Sequence, residues 1–337
     1  MRPPAATPRF ADLRKRHQAR GCCRPESNSA TLPIAQAEMV RGNVERAQVL
    51  LAQAQDYWVS TGSVVHKALL NESRKTQSRL ERAQGRVEDS LATLQAAIDE
   101  RQLMLGEEDV ETGGHYVSLA IGLMQAGRLD EAEAAASEGL RIHEQLGLAE
   151  SDGGLAALNA RANIALGAGR AEQSIADFRR VSNMTRALYG ETPKLATAMN
   201  NLGISLMRTG QVAEAAPVIE EALRIARASD GERSRLAVAL RAATAEAWAV
   251  TGRLDEAEPL VEEALDVAQA DFIADPVLLG TAYRVRAKLR LEQLRHDEAR
   301  ADLEQAARYF GAAGKAGEPY LRRLEALQGE LEGAPPG

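Results

Sequence analysis

Apolar and polar positions along the chain recur with helical period, in blocks that come in pairs. In the stretch around residues 115–146, HYVSLAIGLMQA reads as one amphipathic helix, GRLDE as a tight turn and AEAAASEGLRIHEQL as a second helix. The same order of helix, short turn and helix is repeated along most of the chain, which predicts an all-α protein built from helix pairs. Asp130 and Asp255 fall in the first turn of a second helix, where a carboxylate suits the positive end of the helix dipole.

The pairs keep a fixed length. Gly42, Gly85, Gly127, Gly169, Gly210 and Gly252 follow one another at intervals of 43, 42, 42, 41 and 42 residues, and a further step of 42 reaches Leu294. Seven residues before each of these positions stand Ala35, Ser78, Ala120, Ala162, Gly203, Ala245 and Ala287; five residues after stand Ala47, Ser90, Ala132, Ser174, Ala215, Ala257 and Ala299. All fourteen are Gly, Ala or Ser. The glycine is expected to end the first helix in a left-handed conformation. The small residues on either side are expected where the two helices cross, since backbones approach closely only over short side chains. Ala120, Ala132, Ala162, Gly203, Ala215, Ala245 and Ala257 are the crossing residues of units three to six.

This skeleton, seen most clearly in NNLGISLMRTGQVAEAAPVIEEAL, resembles the tetratricopeptide repeat. The usual unit of that family is about 34 residues. A 42-residue unit, with linkers such as LGEEDVETGGHYVSLA and LYGETPKLATAMNNLG, is similar to the kinesin-light-chain variety. The resemblance spans about 28–310 and implies a right-handed α-solenoid of seven helix pairs over 28–316. It also implies a role in binding other proteins, as in bacterial scaffold proteins and the C-terminal regions of bacterial Ser/Thr kinases.

The ends depart from the pattern, as terminal repeats do when one face has no neighbour. Pro33 shortens the first helix of unit one, unit two is rich in charge (NESRKTQSRLERAQ), and unit seven has Leu294 for glycine. EPYLRRLEALQGELEG predicts a capping helix over 317–333, followed by a tail at 334–337. Residues 1–27 read as a disordered basic leader, poor in large apolar residues.

Composition narrows the function. Of 337 residues 45% are hydrophobic but only 4% aromatic, which favours many close helix contacts over one large core. Net charge is −7, and residues 1–32 carry seven basic and two acidic residues, so the rest stands near −12. Such an acidic body argues against nucleic acid as a partner. No apolar run reaches membrane-spanning length, so no membrane insertion is expected. The two cysteines, Cys22 and Cys23, are adjacent and offer no disulfide framework, which suits a cytoplasmic protein; with His17 they make only three of the ligands a zinc site needs.

Signatures of chemistry are missing. There is no phosphate loop, no GxSxG elbow, no HExxH and no kinase motif, so neither an enzyme nor a cofactor or metal is expected. His66, His115, His143 and His296 fall in different units and read as surface or turn residues. The recurring pairs Glu220–Glu221 and Glu262–Glu263 read as a solvated outer face.

What remains is the groove that first helices line in such a solenoid. Its candidate residues are Lys75, Arg79 and Arg82; Val117, Ile121 and Met124; Asn159 and Asn163; Asn200, Ile204 and Arg208; and Glu246, Arg284 and Lys288. The asparagines can bond the backbone of an extended protein or peptide partner or satisfy neighbouring backbone groups. Chaperone-binding members of the family hold a C-terminal carboxylate with a Lys/Asn/Arg set. Asn159, Asn163 and Asn201 approximate its Asn part, but Ala239 and Ala243 stand where later basic residues belong. The expected function is a non-catalytic scaffold that binds a partner segment in the concave groove. The rival is a peptide- or ligand-responsive regulatory module, such as the detached sensor half of a bacterial kinase system.

Overall fold

The computed structural model describes residues 31–61, 63–106 and 109–333. Among them every long element is a helix: α1 (Thr31–Val40), α2 (Val44–Thr61), α3 (Val64–Ala83), α4 (Val87–Leu105), α5 (Val110–Gln125), α6 (Leu129–Gln145), α7 (Asp152–Gly167), α8 (Ala171–Tyr189), α9 (Pro193–Arg208), α10 (Val212–Asp230), α11 (Arg235–Val250), α12 (Leu254–Asp271), α13 (Pro276–Glu292), α14 (His296–Ala312) and α15 (Glu318–Gly333). A short 3-10 turn at Gly314–Ala316 precedes the last. This is an all-α repeat of the solenoid class. The leader over 1–27, with His17, Cys22 and Cys23, and the tail at 334–337 lie outside the described residues.

The turn inside each pair follows from its glycine. Gly42, Gly85, Gly127, Gly169, Gly210 and Gly252 have φ between 75 and 81°. At Gly127 the glycine N–H donates to the Met124 carbonyl (3.1 Å) and the Arg128 N–H to the Leu123 carbonyl (2.9 Å). That pair of bonds closes a helix end around a left-handed residue. Leu294 adopts the same conformation, with φ 61°, and the same bonds from Leu294 to Leu291 (2.9 Å) and from Arg295 to Arg290 (2.8 Å). The repeat geometry therefore persists in unit seven against the steric preference of a branched side chain.

All fourteen small positions are buried. At Gly203 an added Cβ would run into the Ile219 side chain, which marks the close approach of α9 to α10. Ala245 and Ala257 share one apolar cluster with Val261, Val285 and Leu289. Arg82, offered above as a groove residue, instead donates to Ser78 Oγ (3.0 Å) and Ser90 Oγ (3.2 Å), the small positions of its own pair.

The described residues form two compact units that divide between Ser118 and Leu119, within α5. In the first, α1 is only ten residues long and carries Pro33 in its first turn, where a missing N–H costs nothing. Much of what reads as linker is helix. α5 begins at Val110 because Asp109 Oδ2 accepts the Thr112 N–H (3.0 Å) and Arg101 Nε–H (2.6 Å). His115 is fully buried rather than superficial, with Nδ1 2.7 Å from the Glu111 carbonyl oxygen.

In the second unit each helix packs chiefly on its neighbours in sequence, and the first helices α9, α11 and α13 also touch one another in turn. α15 packs on both α14 and α13, so it stands where a further first helix would. His143 is buried here, its Nδ1 2.7 Å from the Gly139 carbonyl oxygen and its ring against Gly153. The paired glutamates are 34–49% exposed, and each also holds an arginine. Glu220 binds Arg253 (2.7 Å), Glu221 binds Arg224 (2.7 Å), Glu262 binds Arg286 (2.6 Å) and Glu263 binds the buried Arg241 (2.9 Å). Arginines that follow the turns also tie successive pairs, as in Arg170–Glu133 (2.6 Å) and Arg295–Glu258 (2.5 Å).

Candidate functional site

Residues one helical turn apart share a face, so Asn200, Ile204 and Arg208 form a stripe on α9. Ala239, Ala243 and Glu246 do the same on α11, and Thr281, Arg284 and Lys288 on α13. These stripes, with Tyr320 and Arg323 of α15, line a cleft of about 440 Å³ within the second unit. Ile204, Glu246 and Lys288 hold one and the same repeat position, six residues before the turn. Helix starts fix the register. Ser234 Oγ accepts the Ala237 N–H (3.1 Å) at the head of α11, and Asp275 Oδ1 accepts the Leu278 N–H (3.0 Å) at the head of α13. Ala239 and Ala243 leave the space that longer residues would fill.

The cleft is cationic. Arg208, Arg235, Arg284, Lys288 and Arg323 line it against one carboxylate, Glu246. Arg284 grips both oxygens of Glu246 (2.8 Å each). Burial alone would push the Glu246 carboxyl up; the Arg284 charge and hydrogen bonds, with Lys288 and Arg323 beyond, outweigh it and hold the pKa at about 2. Arg235 is paired with Asp275 (2.6 Å). Arg208 Nη1 donates to the neutral Leu166 carbonyl (2.6 Å), and burial, followed by the like charge of Arg323, lowers its pKa. Among the described residues Lys288 and Arg323 make no direct hydrogen bond or ion pair, though both attract Glu246 through space; Arg323 also lies over Tyr320, 5.6 Å from the ring centre.

Of the candidate groove residues, Asn200, Ile204, Arg208, Glu246, Arg284 and Lys288 thus come together. Asn159 lines a separate hollow of about 390 Å³ with Asp152, Tyr189, Lys194 and Thr197. Asn163 is occupied: its Nδ2 donates to the Asn159 carbonyl (2.7 Å) and its Oδ1 accepts from Asn201 (3.4 Å). In the first unit Lys75 is paired with Glu111 (2.5 Å), Arg79 is exposed, and Val117 is buried. Sequence reasoning passed over Arg235, Tyr320 and Arg323. The last two sit in EPYLRRLEALQGELEG, where the pattern marks a cap but not which neighbour it covers. Among the described residues no group of three His, Cys, Asp or Glu is placed to hold a metal ion, and no helix is long and apolar enough to cross a membrane.

Two tetratricopeptide-repeat family models match the chain, over residues 154–228 and 202–272. Residues 154–272 are thus tetratricopeptide repeats. The cleft lies largely within the matched repeats and the pair that follows them. Among solved structures, the nearly identical tetratricopeptide-like repeats of a kinesin light chain from Podospora anserina superpose with a TM-score of 0.54 at 20% identity, covering 58% of this chain and 93% of that one. A STAND signal-transduction ATPase with a tetratricopeptide-repeat sensor, from Pyrococcus horikoshii, gives 0.65 at 20% identity, over 91% of this chain and 44% of that one. The apo form of the quorum sensor NprR from B. thuringiensis gives 0.61 at 14% identity, over 95% and 92%. At these identities the likeness is one of fold. No curated protein matches the sequence.

Proposed function

We propose that this protein is a non-catalytic, cytoplasmic interaction module, and that the cleft of its second unit seats an extended segment of a protein partner. The observation that carries the reading is a row of polar side chains presented by three successive first helices into one hollow. Two of them, Asn200 and Lys288, make no direct hydrogen bond or ion pair among the described residues. A peptide backbone offers such side chains regularly spaced donors and acceptors. A sensor role is favoured as the second reading by the two neighbours described as sensors. In that role, occupation of the cleft would be transmitted through α15, which contributes Tyr320 and Arg323 to its wall.

The test starts from a partner recovered by co-purification and titrated calorimetrically. Asn200→Ala with Arg208→Ala is expected to weaken binding at least tenfold, about 1.4 kcal/mol, with Glu221→Ala on α10, outside the cleft, as the control. Loss of affinity in Glu221→Ala with none in the double variant would exclude the cleft as the binding site.

A further inference from the structure

Sixteen residues beyond each turn position the second helices carry Trp58, Arg101, His143, Thr185, Ala226, Ala268 and Phe310. All seven are buried. Three of them fill the space beside a first helix with a long side chain. Arg101 reaches Asp109 at the head of α5 (2.6 Å), the His143 ring lies against Gly153 of α7, and the Phe310 ring lies against Gly280 of α13. Where the residue is small, the facing positions can supply the volume instead: Ala268 shares an apolar cluster with Val238 and Leu278.

At Thr185 neither happens. Leu155 holds the repeat position of Gly280 and Val238, fourteen residues before the turn, and Lys194 holds that of Gly153 and Leu278, sixteen before it. Lys194 does not pack inward as Leu278 does. It is exposed, with Nζ 4.4 Å from the centre of the Tyr189 ring. What is left is the hollow of about 390 Å³ that α7, α8 and α9 line, with Leu155, Ala156, Val181 and Ala198 as its apolar walls. Interiors are otherwise close-packed, so a gap at the position where His143 and Phe310 place rings is room for a ring. Its volume lies at the small end of ligand sites, about 300–1,000 Å³. The hollow also carries one charge of each sign. Tyr189 donates its hydroxyl to Asp152, while Lys194 covers the face of the same phenol. Among the described residues neither Asp152 nor Lys194 is in a salt bridge, and a carboxylate has lone pairs beyond the one that Tyr189 uses.

We propose that this hollow binds a free aromatic amino acid. The ring of the ligand takes the place beside Thr185, its carboxylate meets Lys194 and its ammonium meets Asp152. The site is separate from the cleft between α9, α11 and α13 and does not depend on what that cleft binds.

Titration calorimetry of the full chain with L-phenylalanine, L-tyrosine and L-tryptophan tests this. At least one should bind with one molecule per chain and raise the thermal midpoint, since a ligand of the folded state stabilises it. L-Alanine, which lacks the ring, and phenethylamine and phenylpropionate, which each lack one charge, should bind at least tenfold more weakly. Thr185→Phe should fill the hollow as Phe310 does in its own pair and abolish binding. Lys194→Met, at an exposed position that the fold does not need, should weaken binding at least fivefold with the midpoint of the free protein unchanged. Asn200→Ala, in the other cleft, should leave it unaltered. No heat and no midpoint shift with any of the three amino acids would overturn the proposal. So would binding that persists in both Thr185→Phe and Lys194→Met, which would place the ligand elsewhere, and phenylpropionate binding as tightly as phenylalanine, which would leave no part for Asp152.

Discussion

Helix α13 carries four cations, and its two faces use them differently. Arg286 and Arg290 point toward α14 and α12, where Asp302, only 3% exposed, accepts from both, and Glu262 takes a third bond. Arg284 and Lys288 point into the cleft, where a single carboxylate serves the pair. Residue type and helix are shared; only the supply of partners differs. A charge left in low-dielectric surroundings without a partner is costly, so folds neutralise it unless something external does so. The contrast separates cations that hold the repeat stack from cations that line the cleft.

Breaking the structural face should have the largest effect. Asp302→Ala leaves two largely covered guanidinium groups, 17% and 13% exposed, short of a partner and is expected to cost about 3–5 kcal/mol, read from the urea midpoint, with the affinity for a cleft ligand preserved in the protein that remains folded. On the cleft face, Glu246→Gln should cost less, about 1–3 kcal/mol at pH 7. The sign with pH is fixed by the depressed carboxyl. The Glu246 contribution is fully present above about pH 4.3, the usual glutamate value, and disappears as pH falls through about 2. The gap between parent and Glu246→Gln should therefore be constant from pH 7 to 5 and close between pH 4 and 2; a gap that widens on acidification would contradict the pairing. The turn that positions both faces offers a smaller change of opposite sign. Leu294→Gly relieves a left-handed leucine and should stabilise by about 0.5–1 kcal/mol, seen as a raised midpoint. Smallest of all, Lys288→Ala and Arg323→Ala should each stay within about 0.5 kcal/mol of the parent, because each gives up only a through-space attraction to Glu246 and no direct bond. A loss as large as that of Asp302→Ala would erase the distinction between the faces.

Much of this was readable beforehand because sterics dictate it locally. A glycine every 42 residues with small residues at −7 and +5 leaves few alternatives to crossing helices, and the offsets that follow bring Asn200, Arg284 and Lys288 to one side. The starts of α5 and α9 were hidden in segments that read as linker. There Gly113 and Gly114 suggest a loop, but Asp109 caps the helix and Pro193 opens the next at its tolerated position. Burial of His115 and His143 was not legible, since a helical histidine shows which face it shares but not what covers that face. Nor was the pairing of Glu262 and Glu263, whose arginine partners lie more than twenty residues away. Arg323 escaped for a similar reason: its role depends on how α15 packs against α13, a tertiary fact with no periodic signature.

The most direct test places a photo-crosslinking residue, p-benzoylphenylalanine, at Ala239 on the cleft wall and, separately, at Ala213 on the exposed side of α10, each with the bound partner. The account predicts a crosslinked adduct from position 239, suppressed by excess unlabelled ligand, and none from position 213. Adducts from 213 alone would contradict it.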